Sequence, residues 1–205
     1  TATIAFGHGM AVTPLQASMA IGAIVNGGLL IRPTFIKSTP LEGRILATDV
    51  VTPETGESVR FLMRLNAEVG SAKKADVVGY FIGGKTGTSE KVVNGRYSGD
   101  KVLTAFMGIV PADKPRYLFL TILDEPKGLP ETSGFRTSGW NAVPVTGTIM
   151  ARVLPFLPIV PQKERPANPF PTITRIAAWG SERFQSLSPE LTLPAIKTLS
   201  KAVAE

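Results

Sequence analysis

The pattern of apolar and polar positions divides the chain into a helical first half and a strand-rich second half. Thr13-Pro14 opens the run "LQASMAIGAIV". Threonine can accept from the free amides of a first helical turn, and proline suits its first position. The run is apolar all round and stops at Asn26-Gly27-Gly28, so it predicts a buried helix. "LLIRPTFIK", Leu29 to Lys37, reads as an extended segment that Pro33 keeps near an edge. Thr52-Pro53-Glu54 signals a second helix, in which Val59, Leu62, Met63 and Val69 recur at helical spacing before Gly70.

Beyond that point the period changes from helical to alternating. "VLTAFMGIV" (Val102 to Val110) and "RYLFLTIL" (Arg116 to Leu123) are rich in β-branched and aromatic residues and flank the turn "PADKP". They predict adjacent antiparallel strands. A third strand is predicted around "YFIGGKTGTSEKVV", joined to Val102 by a polar loop containing Asn94-Gly95 and Ser98-Gly99-Asp100. "WNAVPVTGTIMARVLPFL" predicts a last helix packed across the sheet, with Pro144 near its start and Pro155 near its end. From Pro158 the chain turns proline-rich, which predicts an extended linker or wrapping tail, and "PELTLPAIKTLSKAVAE" predicts a short helix. The expected organisation is a domain over 1–157 and an extension over 158–205.

Composition narrows the function classes. With 43% hydrophobic and 19% charged residues the chain is expected to fold. The net charge of +6 is spread along the sequence and gives a nucleic-acid role little support. No cysteine is present, so disulfides and thiolate metal sites are excluded. The single histidine, His8, lies between two glycines and reads as a turn residue that cannot build a zinc site alone. The chain opens on Thr1, with no signal peptide and no membrane span, and is expected to be a processed or excised segment.

The chemistry concentrates in "GYFIGGKTGTSEK", Gly79 to Lys91, which fits two incompatible patterns. Gly79 with Gly84-Lys85-Thr86 matches a phosphate loop, and Asp124-Glu125 after an apolar strand mimics its magnesium-binding partner. A phosphate loop needs small residues and must lead straight into a helix. Here the interior would hold Tyr80, Phe81 and Ile82, which read as strand, and Gly87, Val92-Val93 and Asn94-Gly95 rule out a helix after the lysine. Asp124-Glu125 then reads as the charged end of a strand. The competing pattern is Lys85-Thr86-Gly87-Thr88, the K-T-G element of serine acyltransferases. On a strand, alternation sends Lys85 and Gly87 to one face and Thr86 and Thr88 to the other. Hydroxyls beside an ammonium can grip a carboxylate, a glycine lets substrate lie close, and the Thr88 amide could donate to a developing oxyanion.

From about Ala5 to Leu154 the chain resembles the class B penicillin-binding proteins, the peptidoglycan D,D-transpeptidases. "GGKTGTSEK" with "VLTAFMGIVPADKPRYLFLTILDEP" resembles their third motif and the two strands after it. "FGHGMAVTPLQASMAIGAIVNGG" and "GYFIGGKTGT" are similar to the segments that precede the motif, and "TSGWNAVPVTGTIMARVL" to the C-terminal helix. The resemblance implies an α+β, penicillin-recognising (β-lactamase-like) fold, here its C-terminal part, with an antiparallel sheet flanked by helices. It implies that Lys85 aids proton transfer, that Thr86 and Thr88 bind the carboxylate of a D-Ala-D-Ala stem peptide or a β-lactam, that Gly87 gives clearance, and that the Thr88 amide forms half of an oxyanion hole. Arg136 and Thr137 would border the site. No cofactor or metal is implied. The implied partners are peptidoglycan stem peptides, β-lactam antibiotics, the N-terminal part of the same domain and cell-division proteins. The implied location is outside a cytoplasmic membrane that anchors the protein, and "SGWNAVPVTG" favours the division type.

The family also needs an S-x-x-K nucleophile and an S-x-N motif well before the K-T-G strand. Ser71-Ala72-Lys73-Lys74 matches the first pattern, but it stands in what the family uses as a loop after the second helix, and Ser98-Gly99-Asp100 lies on the wrong side of K-T-G. No S-x-N occurs. The expectation is that the nucleophilic serine lies outside these 205 residues and that the chain alone is inactive. A non-catalytic sensor or scaffold with the same fold, and more remotely a nucleotide hydrolase, are the alternatives.

Overall fold

The computed structural model describes residues 10–37, 44–161 and 170. Two compact units divide the chain, Thr1–Arg165 and Pro166–Glu205, and of the second only Phe170 is described. His8 and the helix expected in "PELTLPAIKTLSKAVAE" lie outside the described residues.

Helix α1 spans Pro14–Val25. The Thr13 hydroxyl accepts from the Gln16 amide, the Gln16 side chain accepts from the Thr13 amide, and the two together make a capping box. The chain leaves the helix through Gly27 and Gly28, both at positive φ. The expectation of a buried helix is corrected: only Ala23 and Val25 are buried, and Leu15 is 41% exposed. Within the unit α1 packs against α2, β1 and β5, and this cover does not match its all-round apolarity. The segment after it makes only a two-residue strand, β1 (Leu30–Ile31), paired antiparallel with β2 (Ile45–Ala47), which the sequence pattern did not reveal.

Helix α2 spans Pro53–Val69 and is capped by Thr52, whose hydroxyl accepts from the Thr55 amide. Its buried positions are Gly56, Met63 and Ala67, whereas Leu62 and Val69 are exposed. The helix is rotated from the expected stripe because it lays its charged Arg60 and Arg64, rather than Leu62, toward the interior; both guanidinium groups reach backbone carbonyls there.

Three antiparallel strands form the main sheet in the order β3 (Gly83–Val93), β4 (Arg96–Val110) and β5 (Tyr117–Asp124). Tyr80–Ile82, read as strand from sequence, instead form the irregular approach to β3. Phe81 and Ile82 are nonetheless buried, and the Phe81 carbonyl accepts from the Ala112 amide at 2.6 Å. The loop expected at Ser98-Gly99-Asp100 is also corrected. The hairpin turns at Asn94-Gly95, both with positive φ, and 98–100 belong to β4, absorbed where the register jumps between Glu90↔Val102 and Lys91↔Ser98. One face of β4 carries Val102, Thr104, Phe106, Gly108 and Val110, all buried. Helix α3 (Ala142–Val153) lies near this sheet, and its Val143 and Met150 join Ile82, Phe106 and Val110 in the core. Full burial of side chains of this size contributes about 1.5–3 kcal/mol each, which makes the sheet and α3 the rigid support of whatever β3 carries.

Candidate active site

Among the described residues only β4 pairs with β3, which makes β3 the edge strand of this sheet. Two side chains of α2 cover the beginning of its free edge: Arg64 Nη1 donates to Ile82 O at 2.7 Å and Asn66 Nδ2 to Gly84 O at 2.8 Å. Arg64 is itself fixed by Asp76 at 2.7 Å and Glu68 at 3.0 Å and lies over the Phe81 ring. Its burial works against the charge, but its hydrogen bonds to Asp76 and Glu68 and their negative charges together outweigh that and raise its pKa above the ordinary value. Beyond Gly84 the edge opens. The backbone groups of alternate residues face the same way, so the set Gly84, Thr86 and Thr88 presents its amides and carbonyls to the free edge. The Thr86 carbonyl accepts there from Lys85 Nζ at 2.6 Å.

The structure brings Thr86 and Thr88 together on one cavity of about 510 Å³, lined also by Gly70, Ser71, Lys73, Lys74 and the segment Thr137–Trp140. Two lysines and no acid line it, which suits an anionic group. Lys74 stacks on the Trp140 ring, 3.6 Å from its centroid, and Trp140 stacks in turn on Phe135. Thr88 and Thr137 also border a second cavity of about 490 Å³ with Glu90, Phe135 and Arg136. Lys85 and Gly87 do not line the first cavity. Lys85 is exposed. Gly87 has open space in front of it, since an added Cβ would meet only the Ala105 Cβ and carbonyl at 3.9 Å.

Several polar residues that sequence reasoning had not placed hold this arrangement. Ser71 Oγ donates to Asn66 Oδ1 at 3.2 Å and lies 3.0 Å from Thr86 Oγ1. The Ser138 amide donates to Thr88 Oγ1 at 3.1 Å, while Ser138 Oγ donates to Ala105 O at 2.7 Å. Asn141 ties the segment down by donating to Arg136 O and accepting from Thr104 Oγ1. Arg136 pairs with Asp100 at 2.9 Å. Ser71 is the serine of an S-x-x-K match rejected as the nucleophile on its place in the sequence; Ser138 carried no signal beyond its place beside Arg136 and Thr137.

Asp124 and Glu125, the supposed magnesium ligands, both bind Lys91, at 2.7 and 3.0 Å. These hydrogen bonds hold the Glu125 carboxyl below the ordinary carboxylate range and raise Lys91. Strand, not helix, follows Lys85-Thr86, so the phosphate-loop geometry is absent. Among the described residues no group of three or more His, Asp or Glu side chains could hold a metal ion, and no helix is long and apolar enough to cross a membrane.

An edge strand bearing K-T-G-T on an antiparallel sheet backed by a helix defines a penicillin-recognising fold, and the comparisons agree. Residues 1–151 match the family model described as "Penicillin binding protein transpeptidase domain". The chain is 40% identical over 165 residues to the probable peptidoglycan D,D-transpeptidase FtsI of Caulobacter vibrioides, covering 76% of this chain and 28% of that protein. The apo transpeptidase domain of Burkholderia pseudomallei penicillin-binding protein 3 superposes with a TM-score of 0.68 at 30% identity, covering 80% of this chain and 48% of that one. Penicillin-binding protein 3 of Mycobacterium tuberculosis, complexed with ampicillin, does so with a TM-score of 0.61 at 29% identity, over 80% of this chain and 39% of that one. The chain belongs to the penicillin-binding protein transpeptidase family. It spans just over a quarter of the length of the curated relative.

Proposed function

We propose that this chain is the C-terminal part of a peptidoglycan D,D-transpeptidase domain, over 1–157, with an extension over 158–205. In the parent protein a serine ahead of Thr1 is acylated by a D-Ala-D-Ala stem peptide, releases D-Ala, and passes the acyl group to an amine of a neighbouring strand. Lys85 supplies positive charge and assists proton transfer, Thr88 binds the substrate carboxylate through its hydroxyl and the oxyanion through its amide, Thr86 borders the carboxylate and Gly87 leaves room for the substrate. β-Lactams enter by the same carboxylate.

The observation that carries this reading is the placement of the Thr86 and Thr88 hydroxyls at the open edge of β3, on a cavity lined by Lys73 and Lys74 and by no acid. Open space in front of Gly87 supports the clearance role. The uncovered apolar surface of α1, including Leu15, fits a chain whose remaining domain packs there. Ser71 is a poor nucleophile because its hydrogen already bonds Asn66, an amide oxygen and no base. The resemblance of "SGWNAVPVTG" supports the division type for the parent, and the family resemblance supports action outside the cytoplasmic membrane.

The test is to expose the intact parent protein to a fluorescent penicillin and map the adduct by mass spectrometry. A covalent adduct on a serine ahead of Thr1, and none on this chain alone, is expected. An adduct on Ser71 would overturn the assignment of the nucleophile, and no adduct anywhere would favour a non-catalytic sensor.

A further inference from the structure

The two threonine hydroxyls beside the first cavity have the same chemistry but opposite hydrogen-bond settings, and the setting of each can be worked out atom by atom. Asn66 donates through Nδ2 to Gly84 O at 2.8 Å, so the oxygen of its amide is the atom turned to Ser71. An amide oxygen only accepts, so the Ser71 hydroxyl must donate to it. Ser71 has one hydroxyl hydrogen, and with that engaged it can meet Thr86 Oγ1, 3.0 Å away, only as an acceptor. The Thr86 hydrogen is therefore directed at Ser71, completing the series Thr86 to Ser71 to Asn66 to Gly84.

Thr88 is set the other way. Its Oγ1 accepts the backbone N–H of Ser138 at 3.1 Å, which leaves its own hydrogen free to turn toward the cavity. A carboxylate is an acceptor only. Thr88 can donate to one without losing any internal bond, whereas Thr86 must first break its bond to Ser71. What holds the Ser138 amide in place is the Ser138 side chain itself. The residue is 1% exposed, and its hydroxyl donates at 2.7 Å to the carbonyl of Ala105, the β4 residue that faces Gly87 across the ladder. Arg136 on Asp100 and Asn141 on Thr104 pin the segment on either side.

We infer that Ser138 is a positioning residue whose backbone amide presets Thr88 as the carboxylate donor, leaving Thr86 a structural hydroxyl in the unliganded site. The inference rests on the transpeptidase reading and assigns the carboxylate contact within it to one of two candidate groups.

The test uses the intact parent protein and compares a penicillin with its methyl ester, which lacks the carboxylate, by their second-order acylation rates. Thr88→Val removes the donor. Ser138→Pro removes both the amide hydrogen and the hydroxyl that anchors it on Ala105, at a position whose predecessor, Thr137, has the extended backbone that proline accepts (ψ 158). Each variant is expected to slow acylation by the penicillin about tenfold, the size of one hydrogen bond to a charged group, and to slow the ester clearly less, because its neutral carbonyl accepts a weaker bond. The double variant should be no slower than Thr88→Val alone, and Thr86→Val should cost less than threefold. Additive losses in the double variant, equal losses with the ester, or a Thr86→Val loss matching that of Thr88→Val would each overturn the inference. If melting shows Ser138→Pro unfolded, the Thr88→Val against Thr86→Val comparison on the two ligands decides alone. An unmodified parent that no penicillin acylates overturns the transpeptidase reading and this inference together; normal acylation with additive losses overturns only the inference.

Discussion

The two halves of strand β3 share one ladder with β4 but are held by different physics. From Gly83 to Thr88 the strand is tied to residues distant in sequence: Asn66 on its free edge, the Phe106 ring over Gly84 and Ser138 on the Thr88 hydroxyl, with Arg64 holding the Ile82 carbonyl just before it. From Glu90 to Val93, past the register jump, it is held by its partner in the hairpin and by the solvated ion pairs of Lys91 with Asp124 and Glu125. The first half is braced by partly buried hydrogen bonds at the Ile82 and Gly84 carbonyls and at the Thr88 hydroxyl, where an unmade bond is costly. The second half depends on charges that water screens, and exposed pairs of this kind contribute little. A site that must present two hydroxyls and one amide in fixed directions belongs on the first half.

Substitutions along β3 can break or sharpen this contrast. The largest effect is expected for Gly84→Ala, because the new methyl would fall within the space of the Phe106 ring, which is fully buried. Overpacking of this kind costs about 1–3 kcal/mol, and more where the ring cannot move, so the melting temperature of the intact domain should drop by several degrees; an unchanged melt would show that the core gives way. Next comes Asn66→Ala, which strands the Gly84 carbonyl and the Ser71 hydroxyl together and should cost about 1–3 kcal/mol in denaturant titration. Loss of Ser71 order without loss of stability would break the claim that α2 braces the strand.

Gly87→Ala separates the two uses of glycine within the same half. Its methyl meets only ordinary contacts at 3.9 Å, so stability should hold within about 0.5 kcal/mol of the parent, while acylation by penicillin falls. A destabilised protein with normal acylation would refute the clearance role. The smallest effect is expected in the second half, and it depends on pH. The Glu125 carboxyl titrates below its ordinary range because Lys91 donates to it, so its contribution is complete above that range and is lost as pH falls through the depressed value. Lys91 is raised, and its contribution persists below its ordinary value and fades only in strong alkali. Lys91→Ala should therefore lower the melting temperature slightly at neutral pH and not at strongly acid pH, which flattens the acid limb of the profile. An unchanged acid slope would show that these pairs contribute nothing measurable.

Much of the fold was legible from local rules. Thr13-Pro14 and Thr52-Pro53 do open α1 and α2, Asn94-Gly95 does turn the hairpin, and the apolar runs of β4 and β5 do pair across "PADKP". The failures share one cause. Apolarity marked α1 and Leu62 for burial, but burial depends on what else is present to cover them, and within this unit α1 is only partly covered and Leu62 is exposed. Phe81 and Ile82 are buried, and Tyr80 partly so, without being strand, because β-branched and aromatic composition reports burial as readily as pairing. Glu90 to Lys101 hid its bulge, because a register jump is a property of two strands and not of either alone.

The candidate site divides in the same way. The sequence by itself determined that Lys85-Thr86-Gly87-Thr88 would run as a strand and that its two threonines would share a face, because a period of two leaves no other choice. It could not determine which hydroxyl is free to donate. That depends on Asn66, 18 residues before Gly84, and on Ser138, 50 residues after Thr88. A hydroxyl hydrogen turns to whichever acceptor lies within reach, and only the folded chain decides which atoms those are.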